Sequence, residues 1–255
     1  MGILSSVEIA DVIVLEADGK IDDKNGYGYP IAKRLEEFGF RPVIVSLEKD
    51  THLLEKLPPK PMIISGGMTA VTSDVQWVVK AKEFVKKIIT YNQSVGEDKR
   101  IPLMGICFGS QLIAESFEEG SVKYLEDPDM GITKVKLNRE HKLFNGFNNP
   151  FFAYTFHYNQ IQNNNLNIIS LNNSKSSIFV EAFEVPNASC YGVQFHPEFT
   201  HDEFVSVLIT YKNLINDLGL DADDIINNLK RLPSNAGILK SFVLMTKKKQ
   251  HSDIG

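Results

Sequence analysis

Cys107 lies between two glycines in the segment Gly105–Gln111 (GICFGSQ). The apolar run Leu103–Ile106 before it predicts a buried strand, and the residues after it predict a helix. A nucleophile on such a tight strand-to-helix turn needs small neighbours, and backbone N–H groups at the start of the helix favour a thiolate. The segment therefore indicates a nucleophilic thiol, with an inert cysteine at a strand end as the alternative.

A histidine and a glutamate two residues apart follow another strand-like run, in the segment Val193–Glu198 (VQFHPE). A nucleophilic thiol needs a base within hydrogen-bond reach, and the base needs a carboxylate that orients it. Pro197 stiffens the turn between the two side chains. We therefore expect His196 to be the base and Glu198 its orienting group. The alternatives are a metal site that adds His201 and an ordinary surface histidine.

Two glycines, Gly66 and Gly67, follow a third apolar run, Met62–Ser65. Glycines let backbone N–H groups approach a ligand closely, and acyl-transfer chemistry needs such donors where the oxyanion develops. We expect the N–H groups of Gly67 and Phe108 to form this oxyanion hole. The loop lacks the Lys-Ser/Thr of a phosphate-binding P-loop, and a simple tight turn is the alternative.

The Gly-Ile-Cys-Phe-Gly-Ser-Gln and Gln-Phe-His-Pro-Glu segments together resemble the class I (triad) glutamine amidotransferases, over about residues 10–215. The resemblance implies that Cys107 attacks the side-chain amide carbon of glutamine, that His196 relays the protons and that Glu198 holds the imidazole. A γ-glutamyl thioester would form and be hydrolysed, and the ammonia would pass to an acceptor site. The resemblance also implies a flavodoxin-like α/β fold.

The same resemblance implies three residues that bind the substrate: Gly66, Gln111 and His157. His157 belongs to a His-Tyr-Asn turn that is similar to the His-x-Asp turn of guanylate-synthase-like amidotransferase domains, which the chain resembles most in appearance. Two positions depart from the family's pattern. Asn159 lacks the charge of the aspartate, and Met68 replaces the proline of the usual Gly-Gly-Pro loop.

Composition limits the classes of partner. The net charge of -5 does not favour binding to nucleic acid or to an anionic membrane. No apolar run reaches the roughly 18 residues of a membrane span, and the N-terminus lacks the pattern of a signal peptide, so we expect a cytoplasmic protein. With two cysteines we expect no disulfide framework, and Cys190 is expected to be an inert thiol. No motif calls for a cofactor or a metal, and we expect neither.

The roughly 40 residues after Leu214 are too few for a synthetase domain. We therefore expect glutamine as substrate and a separate ATP-dependent synthetase as partner. The alternative is a freestanding hydrolase of γ-glutamyl amides or peptides. A glutamine-binding regulatory module is a third class, which the complete set of catalytic residue types disfavours.

The elements that position these residues follow from the hydrophobic pattern. Apolar runs alternate with helical patterns over residues 11–117, which predicts an α/β fold with a mostly parallel central sheet and helices on both faces. Strand-like patterns over residues 121–183 predict a small antiparallel β excursion, with a turn region in the asparagine-rich stretch 162–173. A helix is expected over residues 202–218. We expect an amidotransferase domain over residues 1–218 and a helical extension with a basic tail over residues 219–255.

Overall fold

Seven short strands form the central sheet of this computed structural model, which describes residues 3–18, 26–173 and 178–247. The strands are β1 (Val12–Glu16), β2 (Pro42–Ser46), β3 (Met62–Ile64), β4 (Leu103–Ile106), β7 (Asn167–Asn172), β8 (Phe179–Val185) and β9 (Cys190–Val193). Their order is β2-β1-β3-β4-β9-β8-β7. Strands β1, β3, β4 and β9 are buried along their whole length, as expected for apolar strands that are covered on both faces.

Five neighbouring strands, from β2 to β9, pair in parallel, and β8 and β7 continue the sheet antiparallel. The prediction of a mostly parallel sheet is confirmed. β7 and β8 differ from expectation, because they extend the main sheet instead of belonging to a separate excursion. The turn region predicted over residues 162–173 is confirmed for residues 162–166 and wrong for residues 167–172, which form β7. β8 supplies a hydrogen-bonding partner for this polar segment, which local sequence patterns do not reveal.

The edge strand β7 is irregular. Its pairing with β8 changes register twice, on either side of Ser170. The segment 136–138 binds further polar groups of β7: Asn138 N donates to Ile169 O at 2.8 Å, and Ser170 Oγ donates to Lys136 O at 2.8 Å. The edge that β7 presents is therefore irregular, and the segment 136–138 already binds some of its hydrogen-bonding groups.

A second sheet has two antiparallel strands, β5 (Val122–Val135) and β6 (Phe151–Ile161). These strands are the small antiparallel excursion that the sequence predicts. β6 also contacts the segment that follows β9, because His196 N donates to Tyr154 O at 2.8 Å. The excursion thus reaches one of the expected catalytic residues.

The helices are α1 (Ile3–Ile9), α2 (Gly28–Glu37), α3 (Gln76–Ser94), α4 (Phe108–Phe117), α5 (His201–Thr210), α6 (Lys212–Asp217), α7 (Ala222–Asn228) and α8 (Gly237–Lys247). The single helix expected over residues 202–218 is wrong in one respect, because it is interrupted at Tyr211, which lies between α5 and α6. Among the described residues, no helix combines the length and the apolar character that crossing a membrane requires.

Alternating residues of β1 face two different hydrophobic clusters, as the pleat of a strand requires. Ile13 and Leu15 belong to the cluster that α3 and α4 cover. Val12 and Val14 belong to the cluster on the opposite face, which α2 and α8 cover. The prediction of helices on both faces is therefore confirmed.

The C-terminal helices are part of the hydrophobic core. α8 contributes four fully buried side chains, Ile238, Leu239, Phe242 and Val243. Ile225 and Leu229 pack against a third cluster, formed between the second sheet and α5 to α7. Residues 248–255 of the expected basic tail lie outside the described residues.

Phe242→Ala should lower the free energy of unfolding by about 3–5 kcal/mol, because it removes a fully buried ring and leaves a cavity. Urea unfolding followed by circular dichroism measures this change. The control is Ile209→Ala on α5, whose side chain is 58% exposed and whose loss should change stability by less than about 0.5 kcal/mol. A Phe242 variant as stable as this control would contradict the assignment of α8 to the core.

Candidate active site

Cys107 occupies the turn between β4 and α4 with φ 48° and ψ -104°. A positive φ is rare for a residue with a side chain and is typical of strained, functional turns. Its neighbours have no room for a side chain. A Cβ on Gly105 would lie 2.2 Å from the backbone of Gly109, and a Cβ on Gly109 would lie 2.4 Å from Ile64 O. The glycine spacing noted in the sequence is therefore a steric requirement of the elbow.

The thiol of Cys107 is mostly enclosed, with 6% of the residue exposed. Its Sγ lies 3.6 Å from Phe156 O in β6, and its backbone N–H donates to Val193 O in β9 at 2.9 Å. Because Cys107 is also the N-cap residue of α4, the helix dipole favours a negative charge on its sulfur.

His196 and Glu198 form a buried pair at the carboxyl end of β9. His196 Nδ1 lies 2.7 Å from Glu198 Oε1, and the imidazole interacts electrostatically with the nearby Cys107 side chain. Burial disfavours the imidazolium, but the neighbouring Glu198 carboxylate and the Cys107 thiolate outweigh this effect and raise the pKa of His196 to about 10. The imidazole thus lies between a thiol and a carboxylate, an arrangement that can serve as nucleophile, base and orienting group.

The turn after Glu198 is fixed by the start of α5. Thr200 and Glu203 form a capping box, in which each side chain bonds the other residue's backbone N–H. Glu203 Oε1 also lies 3.0 Å from both Lys33 Nζ and Arg34 Nη2 of α2. These contacts connect the turn after Glu198 to α2, a helix from another part of the chain.

The glycine loop passes directly over the thiol and the imidazole. A Cβ on Gly66 would lie 3.0 Å from His196 Cε1 and 3.8 Å from Cys107 Cβ. A Cβ on Gly67 would lie 2.7 Å from Ala17 Cβ and 3.5 Å from Phe108 Cγ. The structure therefore brings both glycines to the elbow.

His201 does not join His196 and Glu198. Its Nδ1 lies 3.4 Å from Tyr154 Oη, and Tyr154 Oη in turn bonds the C-terminal segment through Lys230 O and Leu232 N. Among the described residues, no group of three His, Cys, Asp or Glu side chains is arranged to hold a metal ion. The metal alternative is therefore not supported.

A protein-family model agrees with this geometry. The model of class-I glutamine amidotransferases matches residues 20–212. The chain belongs to the class-I glutamine amidotransferase family. The family resemblance inferred from the motifs is confirmed.

The curated relatives of this amidotransferase are named as GMP synthases or as separate subunits of them. A glutamine-hydrolysing GMP synthase of Caldicellulosiruptor saccharolyticus is 30% identical over 239 residues, which are 89% of this chain and 42% of that protein. A subunit of the glutamine-hydrolysing GMP synthase of Methanococcus vannielii is 27% identical over 186 residues, which are 72% of this chain and 88% of that subunit. The chain thus spans less than half the length of the larger synthases and most of the length of the separate subunit.

Solved structures of glutamine amidotransferases have the same fold. One from Thermotoga maritima has a TM-score of 0.70 and 17% sequence identity, covering 94% of this chain and 98% of that one. One from Methylobacillus flagellatus has a TM-score of 0.64 and 12% identity, covering 94% of both chains. At these identities the likeness shows the fold alone.

Gln111, expected to bind the substrate, lies on α4 one turn beyond the thiol in this amidotransferase. Its Nε2 is 3.4 Å from Asn159 O and 3.3 Å from Gln194 Oε1. Gln111 is buried, and both partners belong to other strands or loops of the site. The side-chain amide is therefore held in a fixed orientation beside the elbow.

His157 lies in a buried polar cluster on the far side of Asn159. Its Nδ1 donates to Asn159 O at 2.8 Å, and its Nε2 lies 3.8 Å from Asp129 Oδ2. Asn172 Nδ2 links Asp129 Oδ2 to Glu181 Oε2, at 3.3 and 3.4 Å. Local sequence patterns do not reveal this pair of buried carboxyl groups, because their residues lie on β5 and β8 and meet only in the folded chain.

A contact between two tyrosines near the thiol is another feature that local sequence patterns do not predict. The hydroxyl groups of Tyr27 and Tyr211 hydrogen-bond to each other. Burial, then the Tyr211 hydroxyl, and to a smaller extent the charges of Asp18 and Cys107, raise the pKa of Tyr27. No local motif predicts this contact, since the two tyrosines are 184 positions apart.

Glu181→Gln should stabilise the protein at alkaline pH. Burial, and then the negative Asp129, raise the pKa of Glu181 to about 8 from 4.5. A raised pKa means that the folded state holds the proton more tightly, so stability is lost as pH rises from the unfolded value through about 8. The gain in unfolding free energy over wild type should be at least about 1 kcal/mol larger near pH 9 than near pH 5.

Glu184→Gln on the same strand is the matched control, with the opposite sign. The imidazole of His141, whose Nε2 lies 3.6 Å from Glu184 Oε2, holds the pKa of Glu184 below its ordinary value, so this variant should lose stability above the unfolded pKa and not gain it. Thermal unfolding across pH measures both variants. A gain for Glu181→Gln that does not change with pH would contradict the buried, protonated carboxyl group.

Proposed function

We propose that this amidotransferase hydrolyses the side-chain amide of glutamine with Cys107, His196 and Glu198, and delivers the ammonia to a separate ATP-dependent synthetase. The observation that carries the proposal is the buried pair at 2.7 Å between His196 and Glu198, next to a thiol on a strained elbow that faces the same glycine loop. Membership of the class-I family supports the same chemistry. A cytoplasmic location, expected from the sequence, belongs to this proposal.

In the first half-reaction the Cys107 thiolate attacks the amide carbon of glutamine. The carbonyl oxygen becomes an oxyanion, which accepts hydrogen bonds from the N–H groups of Gly67 and Phe108. When the tetrahedral intermediate collapses, the carbon–nitrogen bond breaks. The charged His196 gives its proton to the leaving nitrogen, so ammonia departs and a γ-glutamyl thioester remains.

In the second half-reaction water hydrolyses the thioester. His196, now neutral, takes a proton from the water as the oxygen attacks the same carbon. The carbon–sulfur bond breaks, glutamate leaves, and the thiolate and the imidazolium are restored. Glu198 stabilises the imidazolium each time it forms.

Gly66, Gln111 and His157 are proposed as the substrate-binding residues. The position of Gly66 against His196 and Cys107 supports a direct role for its backbone. The fixed amide of Gln111 supports a contact with the substrate's polar groups. The support for His157 is indirect, because its Nδ1–H holds Asn159 O and so acts on the same wall of the pocket as Gln111.

The acceptor synthetase is proposed to be the nucleotide-aminating part of a GMP synthase. The support is the name shared by the curated relatives, which include separate subunits that match this chain over 88% of their length. Residues 1–218 are proposed as the catalytic unit, and residues 219–255 as a helical extension whose α8 completes the sheet's second face.

The reactive thiol should be Cys107 and not Cys190. Cys190 is fully buried, and burial raises its pKa to about 12, so it is a poor nucleophile at neutral pH. A diazo-ketone analogue of glutamine should add one label, which peptide mapping should locate on Cys107. Cys190→Ala should label like wild type, and Cys107→Ala should not label. A label on Cys190 would overturn the assignment.

His196→Ala should reduce glutaminase turnover about as much as Cys107→Ala, because members of a triad act as a unit. Glu198→Gln should cost less, on the order of 10²–10⁴-fold in kcat, since it keeps the shape and removes the charge that favours the imidazolium. Steady-state ammonia release measures both effects. The control is His201→Ala, since His201 contacts Tyr154 instead. Near-normal turnover of His196→Ala would contradict the proposed base.

Ammonia release from glutamine tests the whole proposal, measured for the pure protein with and without ATP and the nucleotide-aminating synthetase of a GMP synthase. Turnover should rise when the synthetase binds, because we expect the isolated protein to be slow and the docked partner to close and complete the site. Release from γ-glutamyl amines is measured in parallel. Fast hydrolysis of these amines, unchanged by any synthetase, would favour the freestanding γ-glutamyl hydrolase instead.

A further inference from the structure

The end of β1 contacts the glycine loop through one carboxylate. Asp18 follows β1 by two residues, and its Oδ2 accepts hydrogen bonds from Met68 N at 2.6 Å and from Thr69 N at 3.4 Å. The hydroxyl of Thr69 donates to Asp18 Oδ1. Three donors from two consecutive residues therefore converge on a single side chain just beyond Gly67.

A second set of bonds joins the same two segments one residue earlier. Ala17 N donates to Ser65 Oγ at 3.0 Å, and Ser65 Oγ donates to Gly66 O at 2.7 Å. Ser65 is fully buried, so water does not compete for its hydroxyl. The glycines thus lie between a fixed residue on their N-terminal side and Asp18 on their C-terminal side.

The opposite face of the loop is also held. Tyr158 Oη donates to Met68 O at 3.2 Å, so the donor and the acceptor of Met68 are both engaged. A Cβ on Gly67 would lie 3.0 Å from Asp18 Oδ2, which shows how closely the carboxylate approaches the loop. The peptide groups on either side of Gly67 therefore have little freedom to rotate.

Asp18 holds this position with a strained backbone. Its φ is 58°, in the left-handed region, which aspartate and asparagine adopt more readily than most residues with a side chain. The turn aims its carboxylate at the loop. Strain of this kind persists where the surrounding contacts over-determine the conformation, and it clusters at functional sites.

We propose that Asp18 is a positioning residue, which fixes the glycine loop so that the Gly67 N–H points at the oxyanion formed on the substrate. This inference rests on the proposed function, because it needs Gly67 to be an oxyanion donor. Hydrogen bonds to a carboxylate are roughly twice as strong as those between neutral groups. A loop that is held this way can donate to the oxyanion without changing its conformation during the reaction. Fixed donors stabilise the transition state more than donors that must first reorient.

The same carboxylate could instead bind the α-ammonium group of glutamine directly, and the two roles predict different kinetics. A positioning residue acts on the transition state, so its loss lowers kcat and leaves KM nearly unchanged. A substrate contact acts on binding, so its loss raises KM. The three bonds that already occupy Asp18 favour the first role.

Asp18→Gly removes the carboxylate and tolerates the left-handed backbone, and Asp18→Asn keeps the shape and the backbone preference. In Asp18→Gly, kcat for glutamine should fall about 10- to 100-fold. This loss is smaller than the roughly 10²–10³-fold loss that follows complete removal of an oxyanion donor. KM should stay within about twofold of the wild-type value. Asp18→Asn should retain kcat to within about threefold, because its amide can still accept from Met68 N and donate to the Thr69 hydroxyl. Alkylation of Cys107 by iodoacetamide, which forms no oxyanion, should proceed at the wild-type rate in both variants.

Asp50→Gly is the matched control, because Asp50 follows the neighbouring strand β2 and its carboxylate accepts from Ser46 N at 3.1 Å instead of from the glycine loop. Its kcat should equal that of wild type. Thr69→Val removes one of the three bonds without changing Asp18, and should lower kcat by a smaller factor, which keeps the test valid if Asp18→Gly fails to fold.

An unchanged kcat in Asp18→Gly and Thr69→Val, in a wild-type protein that hydrolyses glutamine, would overturn this inference alone. A raised KM with normal kcat would overturn it in favour of a substrate contact. A wild-type protein with no Cys107-dependent ammonia release would overturn the proposed function, and the inference with it.

Discussion

The close contact between the end of β4 and the first turn of α4 is the constraint on which the site depends. Neither Gly105 nor Gly109 could carry a Cβ without colliding with backbone, and the cysteine between them takes a left-handed conformation. Such strain costs on the order of 1–3 kcal/mol and persists only in a rigid setting. The parallel sheet supplies that setting, because Cys107 N bonds Val193 O of β9. The same hydrogen bond links Cys107 to the strand that leads to His196.

The other proposed catalytic groups are held by contacts between distant parts of the chain. His196 is aligned through Tyr154 of β6, and Tyr154 in turn bonds the segment before α8. The turn that carries Glu198 is anchored through Glu203 to α2. The second sheet and the C-terminal helices therefore help to position the residues of the site. A substitution that disturbs their packing should also disturb the site through these hydrogen bonds.

Local sequence patterns predict the parts of the fold that are set by local physics. The buried strands β1, β3 and β4 are apolar runs, and the elbow around Cys107 is predictable because its glycines obey a steric rule. β7 was not predictable, since its asparagines form a strand only because β8 offers a partner. The contact of Tyr211 with Tyr27 joins residues 184 positions apart. For His157, the motif predicts a turn, which is wrong, because His157 and Asn159 lie within β6; only the fold reveals the polar neighbours of His157 on β5, β7 and β8.

The irregular edge strand β7 has a consequence for the behaviour of the protein in concentrated solution. An edge strand that is straight and unoccupied is a template on which another chain can add a strand, which leads to aggregation. β7 changes register on both sides of Ser170, and residues 136–138 already use some of its hydrogen-bonding groups. A second molecule would find no regular ladder there. The departures from ideal pairing therefore make the addition of a further strand at this edge unfavourable.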